Sequence, residues 1–245
     1  MNFYAIDFGH TNYKIAFIEN SNVISVNISN YQDKLAFSEL NLKIKESGCK
    51  KIICCNVLSK LNFEKVIEEL SFETKNILKF FKSEDCQKYI SLAYKKNINR
   101  LGPDRAINLV GASKKTKTDL VVIDAGTATT IDYLDSDQNH LGGIIVPSKN
   151  IIDNIFSEML DFSFSDEEFV DNIFSTNTRS CIENGSIISA YGVINNILNE
   201  MFEIKKNMPK IYVTGGNAKH IIDNCNYPTI HVESLLFDGL VALDI

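Results

Sequence analysis

Two short segments of the chain place a carboxylate, a glycine and a threonine hydroxyl directly after an apolar run. The first segment reads Asp7-Phe8-Gly9-His10-Thr11-Asn12-Tyr13-Lys14, and the second reads Asp124-Ala125-Gly126-Thr127. Glycine lets backbone N–H groups approach a phosphate closely, and a neighbouring carboxylate can hold the metal ion that accompanies the phosphate. Each segment alone is also consistent with an ordinary hairpin, because Asp and Gly are common turn residues.

The two segments occupy equivalent positions in the two halves of the chain. Ile6–Gly9 and Ile123–Gly126 share the pattern Ile-Asp-x-Gly and are separated by close to half of the 245 residues. Each follows an apolar, strand-like run and leads into a second strand, which in the later segment is Thr129–Tyr133. This internal repeat predicts two similar α/β lobes, residues 1–116 and 117–245, which meet in the polar linker Lys114–Thr118.

A third segment, Gly102-Pro103-Asp104-Arg105, has the pattern of a helix start, and the helix is predicted to run through Ala112. Proline is favoured in the first turn, and the positive end of the helix dipole keeps a first-turn carboxylate ionised. Asp104 is therefore either a reactive group or simply a favourable first-turn acid. Arg105 could bind a carboxylate ligand through its fork of donors, or it could form a surface ion pair.

The rest of the chain alternates strand-like and helix-like runs, which is typical of an α/β protein. Further strands are predicted at Val23–Ile28, Lys51–Val57, Asn76–Phe81, Tyr89–Ala93 and Lys210–Val213. Helices are predicted at Asp33–Glu46, Asn62–Leu70, Lys149–Leu160, Thr178–Phe202 and Leu235–Leu243. The acidic and aromatic stretch Ser163–Asn172 is predicted to be a surface helix or loop.

Composition excludes several classes of protein. The apolar fraction of 44% and the charged fraction of 23% are those of a globular protein. A net charge of −6 argues against a nucleic-acid-binding surface as the main function. We expect a cytoplasmic protein that does not enter membranes, because no apolar run is long enough to span a bilayer and no signal peptide is visible. The six cysteines contain no C-x-x-C pair, so reduced thiols are expected.

Taken together and in order, the motifs resemble the type III pantothenate kinases over nearly the whole chain. They are Asp7–Lys14, Gly102–Arg105, Asp124–Asp132 and Gly142–Pro147, followed by two weaker ones, Asn177-Thr178-Arg179 with Gly185 and Thr214-Gly215-Gly216 with the closing Asp238-Gly239-Leu240. The family belongs to the actin, sugar-kinase and Hsp70 superfamily, in which two ribonuclease-H-like lobes face a nucleotide cleft between them. The resemblance implies ATP-dependent phosphorylation of pantothenate to 4′-phosphopantothenate, the first step towards coenzyme A. It also implies Mg²⁺, a monovalent cation such as K⁺ or NH₄⁺, and a homodimer.

The resemblance also assigns roles to individual residues. Asp104 is the catalytic residue, Asp124 is the ligand of the monovalent cation, and Thr127 contacts ATP. The first hairpin cradles the phosphates through Asp7, Phe8, Gly9, His10, Thr11, Asn12, Tyr13 and Lys14. The pantothenate site is formed by Tyr94, Gly102, Pro103, Asp104, Arg105 and Thr178.

Three features depart from the family pattern, and three other functions stay open at this point. His10 stands where the family has Asn, Pro103 replaces a small residue in Gly-x-Asp-Arg, and Ser148 stands where Gly follows the Gly-Gly-x-x-x-Pro motif; none of these changes removes a proposed catalytic group. The chain could instead be a non-catalytic regulatory member of the family. It could also be a different small-molecule kinase of the superfamily, or a nucleotide-binding module, which would have no use for Asp104.

Overall fold

The computed structural model of the chain describes residues 2–160 and 168–245. The predicted surface segment Ser163–Asn172 therefore lies partly outside the described residues. The chain divides into two compact units. Unit 1 comprises Met1–Lys117, Leu134–Gly142 and Ser234–Ile245, and unit 2 comprises Thr118–Tyr133 and Gly143–Glu233. The units are thus interleaved in sequence, whereas the predicted division at residues 116 and 117 treats the lobes as continuous halves and stays a prediction.

The first sheet has five strands in the order β3-β2-β1-β4-β5. β1 and β2 are antiparallel, β2 and β3 are antiparallel, and β4 runs parallel to both β1 and β5. The strands are β1 (Asn2–Phe8), β2 (Asn12–Glu19), β3 (Asn22–Asn30), β4 (Ile52–Asn56) and β5 (Leu78–Phe80). The central strands are buried because they are apolar, and β3, which lies at the edge, alternates between half-buried and exposed side chains.

Unit 1 contains five helices, of which α4 and α9 form the closest pair. The helices are α1 (Lys34–Ser47), α2 (Lys60–Glu68), α3 (Phe72–Asn76), α4 (Pro103–Ser113) and α9 (Leu235–Asp244). Gly111 of α4 and Gly239 of α9 lie where the two backbones approach too closely for a side chain. At the end of α9, Asp244 forms ion pairs with Lys51 and Lys79, which secures the C-terminal helix to unit 1.

The second sheet repeats the strand order of the first. Its order is β10-β9-β6-β7-β8, so in both sheets the first strand lies between the second and the fourth. The strands are β6 (Leu120–Ala125), β7 (Ala128–Leu134), β8 (His140–Pro147), β9 (Lys210–Thr214) and β10 (Thr229–His231). The predicted α/β fold with two similar ribonuclease-H-like sheets is confirmed.

The helices of unit 2 contain one irregularity that the sequence did not predict. They are α5 (Lys149–Leu160), α6 (Thr178–Ile187), α7 (Val193–Lys205) and α8 (Ala218–Asn224). The predicted helix Thr178–Phe202 is confirmed in extent, but it contains the π-helical turn Ile188–Gly192, which divides it into α6 and α7. A π turn inserts one extra residue into the helical repeat, and here it lets Tyr191 join the core against the His220 ring.

The other predicted elements are largely confirmed, with one exception in unit 1. Tyr89–Ala93 is not a strand but makes an isolated bridge between Ser91 and Asn139. The predicted loop that follows contains the 3₁₀ turn Ile98–Arg100. Within the described residues, no helix is long and apolar enough to cross a lipid bilayer. The cytoplasmic location stays a prediction.

Candidate active site

On either side of the turn between β1 and β2, a carboxylate and an ammonium group lie next to each other on the two strands. Asp7 and Lys14 are register partners, and Lys14 Nζ lies 3.9 Å from Asp7 Oδ2. A Cβ atom on Gly9 would lie 2.7 Å from the Asn12 carbonyl oxygen, so the turn needs glycine there. The three residues between Gly9 and Tyr13, which are His10, Thr11 and Asn12, are exposed. The turn therefore presents polar groups to solvent beside a paired carboxylate and ammonium.

Aromatic residues on the buried side of this turn hold it in place. The Tyr31 hydroxyl donates a hydrogen bond of 2.8 Å to the Gly9 carbonyl oxygen. Burial, followed by the negative charge of Asp7, raises the pKa of Tyr31, so its hydroxyl stays a donor. Phe8 and Tyr13 are fully buried, and Tyr13 stacks on Phe37 with ring centroids 4.4 Å apart. Any nucleotide contact by Phe8 or Tyr13 is therefore made through the backbone.

The start of α4 carries the candidate base. Gly102 is the N-cap, Pro103 is the first helical residue, and Asp104 lies in the first turn. The Arg105 backbone N–H donates a hydrogen bond of 2.8 Å to Asp104 Oδ1. Just before the helix, the Ser83 hydroxyl donates a hydrogen bond of 2.6 Å to the carbonyl of the residue that precedes Gly102. The carboxylate is thus half-buried and oriented by the helix end, while the Arg105 side chain is buried.

Cys55 lies beside the first hairpin, on a strand against which α4 packs. It is the parallel register partner of Asp7 and is fully buried on β4. Burial, and then the negative charges of Asp7 and Asp104, raise the pKa of the Cys55 thiol well above its ordinary value. The thiol therefore stays neutral. Asp7, Lys14 and Asp104 all belong to unit 1.

Tyr94 stands on the loop that precedes α4. Its ring is parallel to the buried His140 ring, with centroids 6.3 Å apart and an interplanar angle of 1°. Tyr94 also lines a cavity of about 510 Å³. Tyr94 is therefore part of the wall of this cavity, and it precedes Gly102 on the same loop.

In unit 2, the second predicted turn packs closely against the segment that follows β9. Asp124 is the next-to-last residue of β6 and is the register partner of Thr214 on β9. Gly215 has φ +94°, and a Cβ atom there would lie 2.6 Å from both Asp124 Oδ1 and the Ala125 carbonyl oxygen. The Asn217 backbone N–H donates a hydrogen bond of 2.9 Å to that same carbonyl. The predicted Gly215-Gly216 signature thus supplies backbone room beside Asp124, and Thr127 is exposed at the tip of the turn.

The residues present fit the implied cations in different ways. No group of three or more His, Cys, Asp or Glu side chains within the described residues could hold a metal ion by itself. Mg²⁺ in kinases does not need such a group, because one or two carboxylates, waters and the nucleotide phosphates complete its shell. Asp7 fits that role. Asp124, which lies beside the Gly215 backbone, offers a hard oxygen donor of the kind that suits a monovalent cation.

Thr178 is the first residue of α6 and is exposed, on a helix start held by two sets of polar contacts. The Asn177 side chain accepts a hydrogen bond of 2.8 Å from the Ser180 N–H. Asn184 Nδ2 donates hydrogen bonds to two carbonyl groups and a hydroxyl in the segment before the helix. Glu183 pairs with Arg179 at 2.7 Å and with Lys149 at 3.7 Å.

Local sequence reasoning missed three residues that shape the site. Tyr31 binds the Gly9 carbonyl, Cys55 is the register partner of Asp7, and Asn184 ties down the segment before Thr178. The apolar run around Cys55 did indicate a buried strand. Nothing in the sequence pattern indicated the partners of Tyr31 or Asn184, because both contacts join residues that are far apart along the chain.

Comparison with known proteins agrees with the motif order. The sequence profile of the type III pantothenate kinases matches residues 3–200. The type III pantothenate kinase of Finegoldia magna is 27% identical over an alignment of 255 positions, gaps included, which covers 98% of this chain and 95% of that protein. The type III pantothenate kinase of Dinoroseobacter shibae is 28% identical over 146 residues, covering 59% of this chain and 57% of that protein. With this second relative, the aligned stretch spans little more than half of the protein's length.

A solved structure extends the agreement to the fold. A Campylobacter jejuni protein, provisionally classed as a Baf family transcriptional activator, aligns with a TM-score of 0.60 and 20% identity. The alignment covers 98% of this chain and 96% of that one. At this identity the likeness establishes the fold alone. The profile match covers well over half of the residues, and on that ground the chain belongs to the type III pantothenate kinase family.

Proposed function

We propose that the protein transfers the γ-phosphoryl group of ATP to the primary hydroxyl of pantothenate, giving 4′-phosphopantothenate and ADP. The observation that carries the proposal is that unit 1 holds the Asp7–Lys14 pair on β1 and β2 together with Asp104 at the start of α4, a helix that packs against β4, the neighbour of β1. A turn that only binds phosphate has no use for a second carboxylate at a helix start. An enzyme that transfers phosphate to an alcohol does, because the alcohol must be oriented and lose a proton.

Asp104 accepts the proton in this proposal. The acceptor hydroxyl oxygen attacks the γ-phosphorus, the bond from that phosphorus to the bridging oxygen of ADP breaks, and the hydroxyl proton moves to an Asp104 oxygen. The helix end lowers the basicity of this carboxylate, so orientation of the hydroxyl contributes as much as proton removal. Arg105, which follows Asp104 in the same helical turn, binds the pantothenate carboxylate.

The β1–β2 turn holds the phosphates. Gly9 leaves room for backbone N–H groups, and Thr11 and Asn12 donate from the exposed edge of the turn. Lys14 supplies positive charge to the phosphate oxygens. Asp7 holds Mg²⁺ directly or through its waters, and this ion screens the phosphate charge when bound. The 3.9 Å pairing of Lys14 with Asp7 positions both groups for that role.

The second turn serves the monovalent cation and the nucleotide. Asp124 binds K⁺ or NH₄⁺, and Thr127 contacts ATP from the exposed tip of the turn. The support for this assignment is the carboxylate of Asp124 beside the turn, where Gly215 passes close to it without a side chain. Thr178, exposed at the start of α6, contacts pantothenate.

A coupled assay of ADP release tests the proposed function. We expect turnover to require pantothenate, Mg²⁺ and either K⁺ or NH₄⁺. Replacing K⁺ with Na⁺ should lower the rate of the wild-type enzyme strongly, and Asp124→Asn should remove most of the K⁺ response. A panel of sugars and a reaction without acceptor are the controls. A well-folded protein that releases ADP equally with and without pantothenate would contradict the proposal, and one that releases none would favour a regulatory role.

A homodimer is the second part of the proposal, and an apolar helix in unit 2 supports it. None of the twelve residues of α5 is fully buried, although the helix contains several large apolar side chains. Those of Ile155, Phe156, Met159 and Leu160 are exposed. An exposed apolar helix face in a globular protein usually marks an interface. A second copy of the chain is the partner that the family resemblance implies.

Replacing Met159 with Asp tests the homodimer. The wild-type protein should sediment at twice the chain mass of 27.6 kDa. Met159→Asp should raise the dimer dissociation constant about 100-fold or more, because an unpaired buried charge costs about 3 kcal/mol. Ile204→Asp is the matched control, since Ile204 is 78% exposed and Met159 is 76% exposed. A monomeric wild-type protein, or equal effects of the two changes, would contradict the proposed interface.

A further inference from the structure

A cavity of about 510 Å³ lies in the loop of unit 1 that leads to α4. Its lining residues are Ala93, Tyr94, Lys95, Lys96, Asn97 and Arg100. Three of the six carry positive charge and none carries negative charge. A second cavity of unit 1, of about 360 Å³, is lined by both Lys88 and Asp137. The first cavity is therefore unusual in having charges of a single sign.

The three cations of this cavity are not neutralised by the protein. Among residues 2–160 and 168–245, Lys95, Lys96 and Arg100 have no carboxylate oxygen within 4.0 Å. Several other lysines in the same part of the chain are paired, including Lys51 and Lys79 with Asp244. The whole chain has a net charge of −6, so a cavity lined by three unpaired cations is a locally positive site in a protein that is negative overall. Such a site attracts anions and repels cations.

The loop that forms the cavity is ordered by its own hydrogen bonds. The Asn97 N–H donates to the Tyr94 carbonyl at 2.9 Å, and the Arg100 N–H donates to the Asn97 carbonyl at 2.9 Å. The Tyr94 ring is supported by its stack on buried His140. The cavity wall is thus a preformed structure, and a preformed site binds a ligand without the entropic cost of ordering a loop.

The cavity is also close to the candidate base along the chain. Arg100 precedes Asp104 by four residues. The Ser83 hydroxyl donates a hydrogen bond to the carbonyl oxygen of Leu101, which lies between Arg100 and Gly102. Arg105, by contrast, is buried. The cations of the loop are thus open to an anion in solution, whereas the Arg105 side chain is not exposed.

We propose that this cavity captures the carboxylate end of the acceptor and delivers it to the helix start of α4. The inference rests on the proposed function, because it takes pantothenate as the acceptor. The exposed charges raise the local concentration of the anion and stabilise its complex, but they do not touch the reacting atoms. They therefore act on kcat/KM for the acceptor and leave kcat unchanged. Because the charges are exposed, their effect weakens as ionic strength rises.

The triple variant Lys95→Gln, Lys96→Gln, Arg100→Gln tests the inference by steady-state kinetics. We expect KM for pantothenate to rise about three- to thirtyfold, the combined effect of losing three exposed ion pairs. The value of kcat and KM for ATP should stay within about twofold of the wild type. The difference from the wild type should shrink when salt is raised from 0.05 M to 0.5 M. Direct titration of the protein with pantothenate should show the same loss of affinity.

The matched control removes the same charge from other exposed positions of unit 1. Lys43→Gln, Lys45→Gln, Lys60→Gln changes the net charge equally, on α1 and α2, and should leave KM for pantothenate unchanged. Equal effects of the two triple variants would mean that only total charge matters, which would overturn the inference. A rise in KM for ATP instead would assign the cavity to nucleotide phosphates and overturn it as well.

The inference and the proposed function fail in different ways. If wild-type protein turns over ATP with pantothenate but the cavity triple variant behaves like the wild type, only the inference is wrong. If folded wild-type protein neither binds pantothenate nor turns over ATP with it, both are wrong. Thermal unfolding of each variant shows whether a loss of affinity reflects a loss of fold.

Discussion

Asp104→Asn is expected to lower kcat about 100- to 10,000-fold, which is the range for loss of a positioned general base. The Arg105 N–H donates to Asp104 Oδ1, and the asparagine amide oxygen can accept the same hydrogen bond. The change therefore removes the charge and the proton acceptor while the helix start keeps its geometry. Turnover of ATP with saturating pantothenate measures the effect, and the thermal unfolding midpoint should stay close to that of the wild type.

Asp238→Asn is the matched control for this prediction. Asp238 is also a first-turn acid, on α9 of the same unit, and it pairs with Lys115 at 2.7 Å. Its loss should cost a little stability and leave kcat within about twofold of the wild type, since exposed ion pairs contribute little. If both variants kept full turnover, Asp104 would be only a favourable first-turn acid. Retained pantothenate binding by Asp104→Asn would show that the lost step is chemical.

The sequence predicted the parts of the site that are continuous along the chain. Both Asp-x-Gly turns and the Gly102–Arg105 helix start could be identified because each is a short run with its own turn chemistry. Their order along the chain then indicated the family. The repeat of the first turn in the second half also predicted the two similar sheets, since a repeated pattern of strands gives a repeated order.

The contacts that assemble the site are long-range and could not be predicted in this way. Cys55 lies beside Asp7 because β4 pairs with β1 in parallel register, and residues far apart in sequence choose that register through packing. The Tyr31 hydroxyl reaches Gly9 from beyond β3. The π turn before α7 also escaped prediction, because its local pattern is that of an ordinary apolar helix.

The packing partner of the C-terminal helix, α9, also could not be predicted from the sequence. Leu235–Asp244 is apolar on almost all sides, so its sequence predicts burial but does not indicate which neighbour it packs against. In the structure it packs on α4, the helix that carries Asp104. The interleaving of the two units follows in part from this contact, since the last residues of the chain return to unit 1, as Leu134–Gly142 also does. The stability of α9 is therefore linked to the position of the candidate base.

Gly239→Ala is expected to be the most destabilising single change in this region. A Cβ atom on residue 239 would lie far inside van der Waals contact of the Ile107 carbonyl oxygen, and within 2.8 Å of Ile107 Cγ2. The clash is with backbone, so relief requires α9 to move away from α4. Overpacking of this kind costs about 3 kcal/mol, which should lower the unfolding midpoint by about 6 to 12 °C. Far-ultraviolet circular dichroism measures the transition.

Gly185→Ala provides the control that separates overpacking from the general effect of replacing glycine in a helix. No atom lies within 4 Å of the position that its Cβ would take on α6, and its φ is not in the left-handed region. Alanine there should raise stability by about 1 kcal/mol, because glycine loses more conformational freedom on folding. Because α4 carries Asp104, Gly239→Ala should also lower kcat at temperatures below the unfolding transition of the variant, where the protein is still folded. An unchanged midpoint with full turnover would mean that α4 and α9 are not held this closely in solution.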